Sequence, residues 1–127
     1  SGSGQAAKLV HNSICGVVLS SLAEGYKLGI ESGLDKERLL DLFQSSAFIS
    51  PVVEAKIDLI RNDDYSPMFQ LKLMQKDLSL SLDAFEELGL DPSVIRSARE
   101  MYTNASESGY GNLDSSAVIK YLEERKR

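Results

Sequence analysis

The hydrophobic residues of this chain recur at steps of three and four positions, the spacing of helices that bury one face. The first such run predicts an unusually long helix over residues 5–31, with Gly33 as its C-terminal cap. Gly16 and Gly25 lie inside it, where glycine either weakens a helix or lets another backbone approach closely. The residues that this spacing turns toward the core are Leu9, Val10, Ile14, Val17, Val18, Leu22, Tyr26 and Ile30.

Five shorter periodic runs follow, and each is bounded by residues that start or stop helices. The predicted helices are a second after Asp35 that stops at Ser45-Ser46, a third from Ser50-Pro51 to about Arg61, a fourth over 69–88 closed by Gly89, a fifth opened by Asp91-Pro92, and a sixth capped by Asp114. Polar loops are expected at 62–67 and 107–112. Because no strand-like alternation competes, the sequence predicts an all-α fold, a compact bundle of about six helices.

Length, charge and cysteine content narrow the class of protein. The chain has 127 residues, the length of one domain with a single core. Its net charge of −5 argues against nucleic acid or an anionic membrane as the main partner, and no run of about 18 uninterrupted apolar residues predicts a membrane span. Cys15 and His11 are the single cysteine and the single histidine, so we expect no metal site. One unpaired cysteine fits a cytoplasmic or other reducing compartment.

The pattern also places candidate chemical groups on the predicted helices. Lys8 and Asn12 are four residues apart and share a helix face, where an amine and a carboxamide can hold a small oxygen-rich molecule. The alternative is a purely structural pair, since this spacing is common by chance. Lys76 and Asp77 lie in an apolar helix, and they either belong to a solvated stripe or present a cation to a phosphate or carboxylate. Asp114 is interpreted as a helix cap without chemistry.

Three segments of the chain, taken in order, resemble one known family. They are GSGQAAKLVHN at residues 2–12, PMFQLKLMQKDLSLSLD at residues 67–83 and GNLDSSAVI at residues 111–119. Together they are similar to the C-terminal helical domain of the β-hydroxyacid dehydrogenases, which include 3-hydroxyisobutyrate dehydrogenase, tartronate semialdehyde reductase and the glyoxylate/succinic semialdehyde reductases. The spacing of Lys, His and Asn also resembles 6-phosphogluconate dehydrogenase. That enzyme, however, has a glutamate where this chain has Cys15, and its helical domain is far longer.

The resemblance implies an NAD(P)-dependent oxidoreductase that transfers hydride between nicotinamide and a short β-hydroxy acid or semialdehyde. By the family's motif, Lys8 is the general acid/base that exchanges a proton with the substrate, and Asn12 binds the substrate beside it. Gly4 and Gln5, in the same first turn, are further substrate-binding candidates.

The resemblance also implies a cofactor side of the site. Lys76, in the Lys-Asp-Leu motif, is expected to reach toward the bound NAD or NADP, with Asp77 helping to fix it. Phe69 matches an aromatic residue that lines the site near the nicotinamide. These three residues are therefore our cofactor-binding candidates.

The family's Gly-x-Gly-x-x-Gly phosphate loop after a first strand has no counterpart in this sequence. We therefore expect residues 1–127 to be a single C-terminal domain for substrate binding and dimerisation, with the N-terminal Rossmann domain absent from this chain. Alone the domain should be inactive, and its uncovered apolar surface should favour a homodimer or higher homo-oligomer. Two alternatives are a non-catalytic oligomerisation module descended from this family and an unrelated helical interaction module.

Overall fold

The computed structural model describes residues 2–125, and within that range the chain forms six α-helices and two short helical turns. The helices are α1 (Gly2–Glu31), α2 (Lys36–Gln44), α3 (Pro51–Arg61), α4 (Leu71–Glu87), α5 (Ser93–Ala105) and α6 (Val118–Glu124). The long α1 packs mainly against α4, α5 and α6, whereas α2 and α3 pack mainly against each other. The predicted all-α bundle is confirmed.

Helix ends fall where the sequence predicts them when a local capping residue sets the end. Asp35 accepts a hydrogen bond from the Arg38 backbone N–H at 2.8 Å and starts α2. Ser50 starts α3 by the same kind of contact. Gly33 and Gly89 follow α1 and α4 with φ values of 99° and 69°, which side chains other than glycine rarely adopt.

The start of α4 is set by a distant segment rather than by a local cap. The helix begins at Leu71, not at the predicted Phe69. The backbone N–H groups of Leu71 and Lys72 donate to the carbonyl oxygens of Leu113 and Gly111, at 2.8 and 3.0 Å. Residues 111–113 therefore supply acceptors for the backbone N–H groups that an N-cap side chain would otherwise bind.

The predicted loop over 107–112 is wrong in its first part. Ser106–Tyr110 continues α5 as a single π-helical turn, and Gly109 inside that turn has a non-helical φ of 100°. The glycine that indicated a loop in the sequence is therefore a kink within a helical turn.

The buried face of α1 agrees only in part with the one that its large apolar residues predict. Tyr26 is buried, and the predicted residues that pack against the core are Val17, Val18, Leu22 and Ile30. Val10 and Ile14 are 62% and 59% exposed, so the expectation that they face the core is wrong. Small residues dominate the face that is buried, because they allow neighbouring helices to approach closely. A Cβ added at Gly29, for example, would lie 2.8 Å from Leu39 Cδ1. The buried residues of α1 are Ser13, Gly16, Leu19, Ser20, Ala23, Tyr26 and Gly29.

By length and composition, α1 is the one helix among residues 2–125 that could cross a membrane. Core helices of soluble proteins pass the same test. In this fold one side of α1 packs against α4, α5 and α6, while its apolar residues Val10, Ile14 and Leu28 are exposed.

Candidate functional site

Lys8 and Asn12 lie one turn apart on the N-terminal half of α1. Lys8 is exposed, whereas Asn12 is half-buried. Nδ2 of Asn12 donates to the carboxylate of Asp77 at 2.6 Å, and its Oδ1 lies 3.2 Å from Nδ1 of His11. The carboxamide is therefore held at both ends, while the amine one turn away is open to solvent.

Asp77 connects the two helices of the site. It lies on α4, is only 6% exposed, and meets Asn12 across 65 positions of sequence. The resemblance implies that Asp77 fixes Lys76, but adjacent side chains on a helix point about 100° apart. The structure gives Asp77 a different partner, Asn12, and leaves Lys76 exposed. Asp77 therefore belongs to the Asn12 side of the site.

Small residues hold α1 and α4 together beside this pair. The hydroxyl groups of Ser13 and Ser81, both buried, are hydrogen-bonded to each other across the two helices. A Cβ at Gly16 would lie 3.2 Å from atoms of Leu78 and Met74, so the helices are in close contact one turn further along. This packing keeps the Asn12 and Asp77 side chains at a fixed separation.

The remaining predicted site residues lie on α1, on α4 or just before α4. Gly4 and Gln5 are exposed in the first turns of α1. Phe69 precedes α4, is half-buried, and packs against the hydrophobic core. Lys76 is exposed beside Asp77 on α4. The structure thus joins Asn12 directly to Asp77, with Lys8 one turn away on α1.

Sequence reasoning missed a buried ion pair near the site. Lys56 on α3 is 4% exposed, and its Nζ lies 2.9 and 3.1 Å from the two carboxylate oxygens of Asp114, which is 1% exposed. Lys56 also donates to Ser115 Oγ at 3.0 Å. The capping role of Asp114 is confirmed, since it accepts from the Ser116 backbone N–H at 3.0 Å. The sequence did contain a signal for a buried cation, because Lys56 lies next to Ile57 on the apolar face of an amphipathic helix.

Two groups in this region have shifted pKa values. Burial alone would raise the pKa of Asp114, but hydrogen bonds from Ser116 and Lys56 lower it below its usual value. Burial raises the pKa of the Cys15 thiol; the positive charge of Lys56 opposes this effect and the negative charge of Asp114 adds to it. Asp114 is therefore a stable buried carboxylate, and Cys15 is a poor nucleophile.

The described residues offer proton exchange and anion binding rather than metal chemistry. In the part of the chain that the structure describes, no group of three or more His, Cys, Asp or Glu side chains could hold a metal ion. An exposed amine and an oriented carboxamide can together bind an oxygen-rich substrate and move a proton.

A protein-family model described as "NAD-binding of NADP-dependent 3-hydroxyisobutyrate dehydrogenase" matches residues 2–122. The chain belongs to this family. Its fold agrees with the crystal structure of the 3-hydroxyisobutyrate dehydrogenase from Salmonella typhimurium, with a TM-score of 0.83 and 30% sequence identity. That match covers 91% of this chain and 41% of the Salmonella chain. The predicted resemblance to this dehydrogenase family is confirmed.

Two relatives of this chain carry different names. Glyoxylate/succinic semialdehyde reductase 1 of Arabidopsis thaliana is 35% identical over 94% of this chain and 41% of that protein. Cytokine-like nuclear factor N-PAC of Aedes aegypti is also 35% identical, over 92% of this chain and 21% of that protein. The chain therefore spans about two fifths of the reductase's length and about one fifth of N-PAC's.

Proposed function

We propose that this chain is the helical domain of an NAD(P)-dependent oxidoreductase that transfers hydride between nicotinamide and a short β-hydroxy acid or semialdehyde. The observation that carries the proposal is the Asn12 carboxamide, which the buried Asp77 holds one helical turn from the exposed amine of Lys8. Within a family of dehydrogenases, this arrangement fits a substrate-binding amide beside a proton-transfer group.

Lys8 is the group that we assign to proton transfer. Its amine takes up the hydroxyl proton when the substrate is oxidised, and the ammonium returns that proton to the oxygen when a carbonyl is reduced. A bound nicotinamide would accept or return the hydride. Because Lys8 is exposed, its proton can equilibrate with solvent between turnovers.

Asn12 is the group that we assign to substrate orientation. A carboxamide has two N–H donors, and Asp77 accepts one of them. The second donor is available to a substrate carboxylate or hydroxyl. Asp77 thus acts through Asn12 by fixing which way the amide points, and Gly4 and Gln5 border the same end of α1.

The α4 side fits an anionic dinucleotide in the chemistry of its side chains. Lys76 offers an exposed cation, and the half-buried Phe69 offers an aromatic surface near the start of the same helix. Cofactor phosphates usually bind a glycine-rich loop between a strand and a helix. We therefore propose that an N-terminal Rossmann domain of the same parent protein binds most of the NAD or NADP, and that this domain alone is inactive.

An apolar groove supports the proposal that another protein domain or subunit packs against α1. The groove has a volume of about 370 Å³ and lies between α1, α4 and α5. Val10, Ile14, Leu88 and Leu90 line it, and each is more than half exposed. Contiguous exposed apolar surface of this kind marks interaction sites. We assign the groove to contact with the Rossmann domain or with a second copy of the chain in a homodimer or higher homo-oligomer. We propose that the protein is located in the cytoplasm or a reducing organelle.

The second candidate function is a non-catalytic oligomerisation module of a larger protein. The favouring observation is the relative named as a nuclear factor, N-PAC, which shares 35% identity with this chain and is not named as a dehydrogenase. Under this alternative the exposed apolar groove is the functional surface, and Lys8 is dispensable.

Enzyme assays on the parent-length protein separate the two candidates. Nicotinamide absorbance would be followed with 3-hydroxyisobutyrate, glycerate and 4-hydroxybutyrate, and in reverse with glyoxylate and succinic semialdehyde. The dehydrogenase proposal predicts turnover with at least one acid and a fall in kcat of about 10²- to 10⁴-fold in Lys8→Ala. The matched control is Lys27→Ala, which removes an amine from the same helix, where it pairs with Glu31.

Full turnover by Lys8→Ala would remove the general acid/base role. Turnover that falls equally in the Lys27→Ala control would mean that the loss reflects α1 stability rather than chemistry. No turnover with any acid, despite cofactor binding, would favour the oligomerisation module.

A further inference from the structure

The segment that leads into α4 is held by the segment that leads into α6. The Phe69 backbone N–H donates to Asp114 Oδ1 at 3.1 Å, and the Phe69 carbonyl oxygen accepts from the Ser115 N–H at 2.7 Å. The Met68 N–H donates to the same Asp114 oxygen at 2.9 Å. Both backbone polar groups of Phe69 are therefore bonded to residues about 45 positions later in the chain.

The Asp114 carboxylate is the centre of this arrangement. Its two oxygens accept from the backbone of Met68, Phe69 and Ser116, from the Ser116 hydroxyl at 2.6 Å, and from the Lys56 ammonium. A carboxylate with 1% exposure needs a compensating positive charge, and Lys56 is the cation that reaches it. Lys56 thereby keeps the carboxylate charged and able to accept several strong hydrogen bonds.

This ion pair is connected to both helices of the candidate site. Cys15 lies three residues after Asn12 on α1, so the two share a helix face, and the thiol is close enough to feel the charges of both Lys56 and Asp114. On the other side, the bonded segment ends where α4 begins, and α4 carries the Asp77 that holds Asn12. The pair is therefore linked to the α1 side by its electrostatic effect on Cys15, and to the α4 side by its hydrogen bond to the Phe69 backbone.

We propose that Lys56 is a positioning residue for this site: through Asp114 it sets the place of Phe69 and of the first turn of α4, and hence the cofactor-facing side of the site. This inference rests on the proposed dehydrogenase function for its catalytic consequence. The positioning itself does not, and it can be measured on this chain without cofactor.

The first measurement is amide hydrogen exchange by NMR on the 127-residue chain. The test variant is Lys56→Met, and the matched control is Arg61→Met, which removes another cation of α3 whose ion pairs lead to α2 instead. Protection of Phe69 would be compared with that of the buried Leu40 in α2. We expect Lys56→Met to reduce protection at Phe69 at least about tenfold more than at Leu40, a difference that corresponds to one broken hydrogen-bonded contact.

In Arg61→Met the protection of Phe69 should fall no more than that of Leu40, because the ion pairs lost there lie on α2. Equal losses at Phe69 and Leu40 in Lys56→Met would overturn the proposal, because they would show that Lys56 supports only global stability. If Lys56→Met does not fold, the double variant Lys56→Met/Asp114→Asn replaces it, since that variant leaves no uncompensated buried charge. Wild-type protection of Phe69 in the double variant would likewise overturn the proposal.

The second measurement is steady-state kinetics of the parent-length protein. We expect Lys56→Met to raise KM for the nicotinamide cofactor about tenfold or more, and to change kcat by less than KM, because Lys56 does not touch the reacting atoms. Lys56→Arg keeps the charge and should recover most of the loss. An unchanged cofactor KM in an active Lys56→Met enzyme would refute the catalytic consequence. Absence of turnover in the wild type would refute the proposed function instead, while the exchange ratio would still decide whether Lys56 positions Phe69.

Discussion

The hydrogen bond between Asn12 and Asp77 should make a measurable contribution to the stability of the chain. Its acceptor is a carboxylate with 6% exposure, and the donor–acceptor distance is 2.6 Å. Hydrogen bonds to charged groups contribute about 1.5–3 kcal/mol. Because Asn12 is only half-buried, water can partly replace the lost donor in Asn12→Ala. We therefore expect a free-energy loss near the lower end of that range, about 1.5–2 kcal/mol.

A double-mutant cycle isolates this interaction from other effects of truncation. Urea unfolding of wild type, Asn12→Ala, Asp77→Ala and the double variant should give a coupling energy of about 1–2 kcal/mol. The matched control is Asn104→Ala, which removes an exposed carboxamide from α5 and should change the free energy of unfolding by no more than about 0.5 kcal/mol. A coupling energy below about 0.3 kcal/mol would refute the reasoning, because independent sites add to within that margin. The Asn12 amide would then lack a fixed orientation, and its assigned role in binding substrate would lose its physical basis.

Three further outcomes can be checked on the same chain. In urea unfolding, Gly29→Ala should lower the free energy of unfolding by about 1–3 kcal/mol, because the new Cβ would lie 2.8 Å from Leu39 Cδ1. Gly25→Ala has open space around the new Cβ and should raise the free energy of unfolding by about 0.5–1 kcal/mol. Equal effects of the two variants would contradict the close helix contact. The pKa of Asp114 is lowered on folding. The charged carboxylate therefore stabilises the fold above its ordinary pKa of about 4, and this stabilisation is lost as pH falls through the lower folded pKa. The free energy of unfolding, measured from pH 6 to 2, should fall less steeply in Asp114→Asn than in wild type. Burial raises the pKa of Cys15, so iodoacetamide at pH 8 should alkylate the folded chain at least about tenfold more slowly than the urea-unfolded chain, and similar rates would contradict its burial.

Several helix ends of this fold could be predicted from the sequence because local residues set them. Asp35 and Ser50 accept hydrogen bonds from backbone groups three residues away, and Gly33 and Gly89 close helices through their own φ values. These interactions span less than two helical turns and act the same way in any tertiary context. The motifs that identify the family are likewise contiguous in sequence, which is why the family match over residues 2–122 could be predicted.

The tertiary structure alone decided which partners the polar side chains of the site have. The resemblance implies that Asp77 helps to fix its neighbour Lys76, but Asp77 accepts a hydrogen bond from Asn12, 65 positions away in the sequence. Lys56 and Asp114 are 58 positions apart, and no local pattern connects them.

Which face of α1 is buried was also decided by packing. Hydrophobic periodicity favoured the stripe with Val10 and Ile14, yet small residues such as Gly16 and Gly29 form the close contacts. Periodicity reports how apolar each face is, whereas burial depends on how closely two particular helix surfaces can approach. The sequence by itself therefore determined the helices, the family and the Lys8–Asn12 spacing. The packing of α1 against α4, and of α3 against the segment before α6, decided how the groups of the site are held.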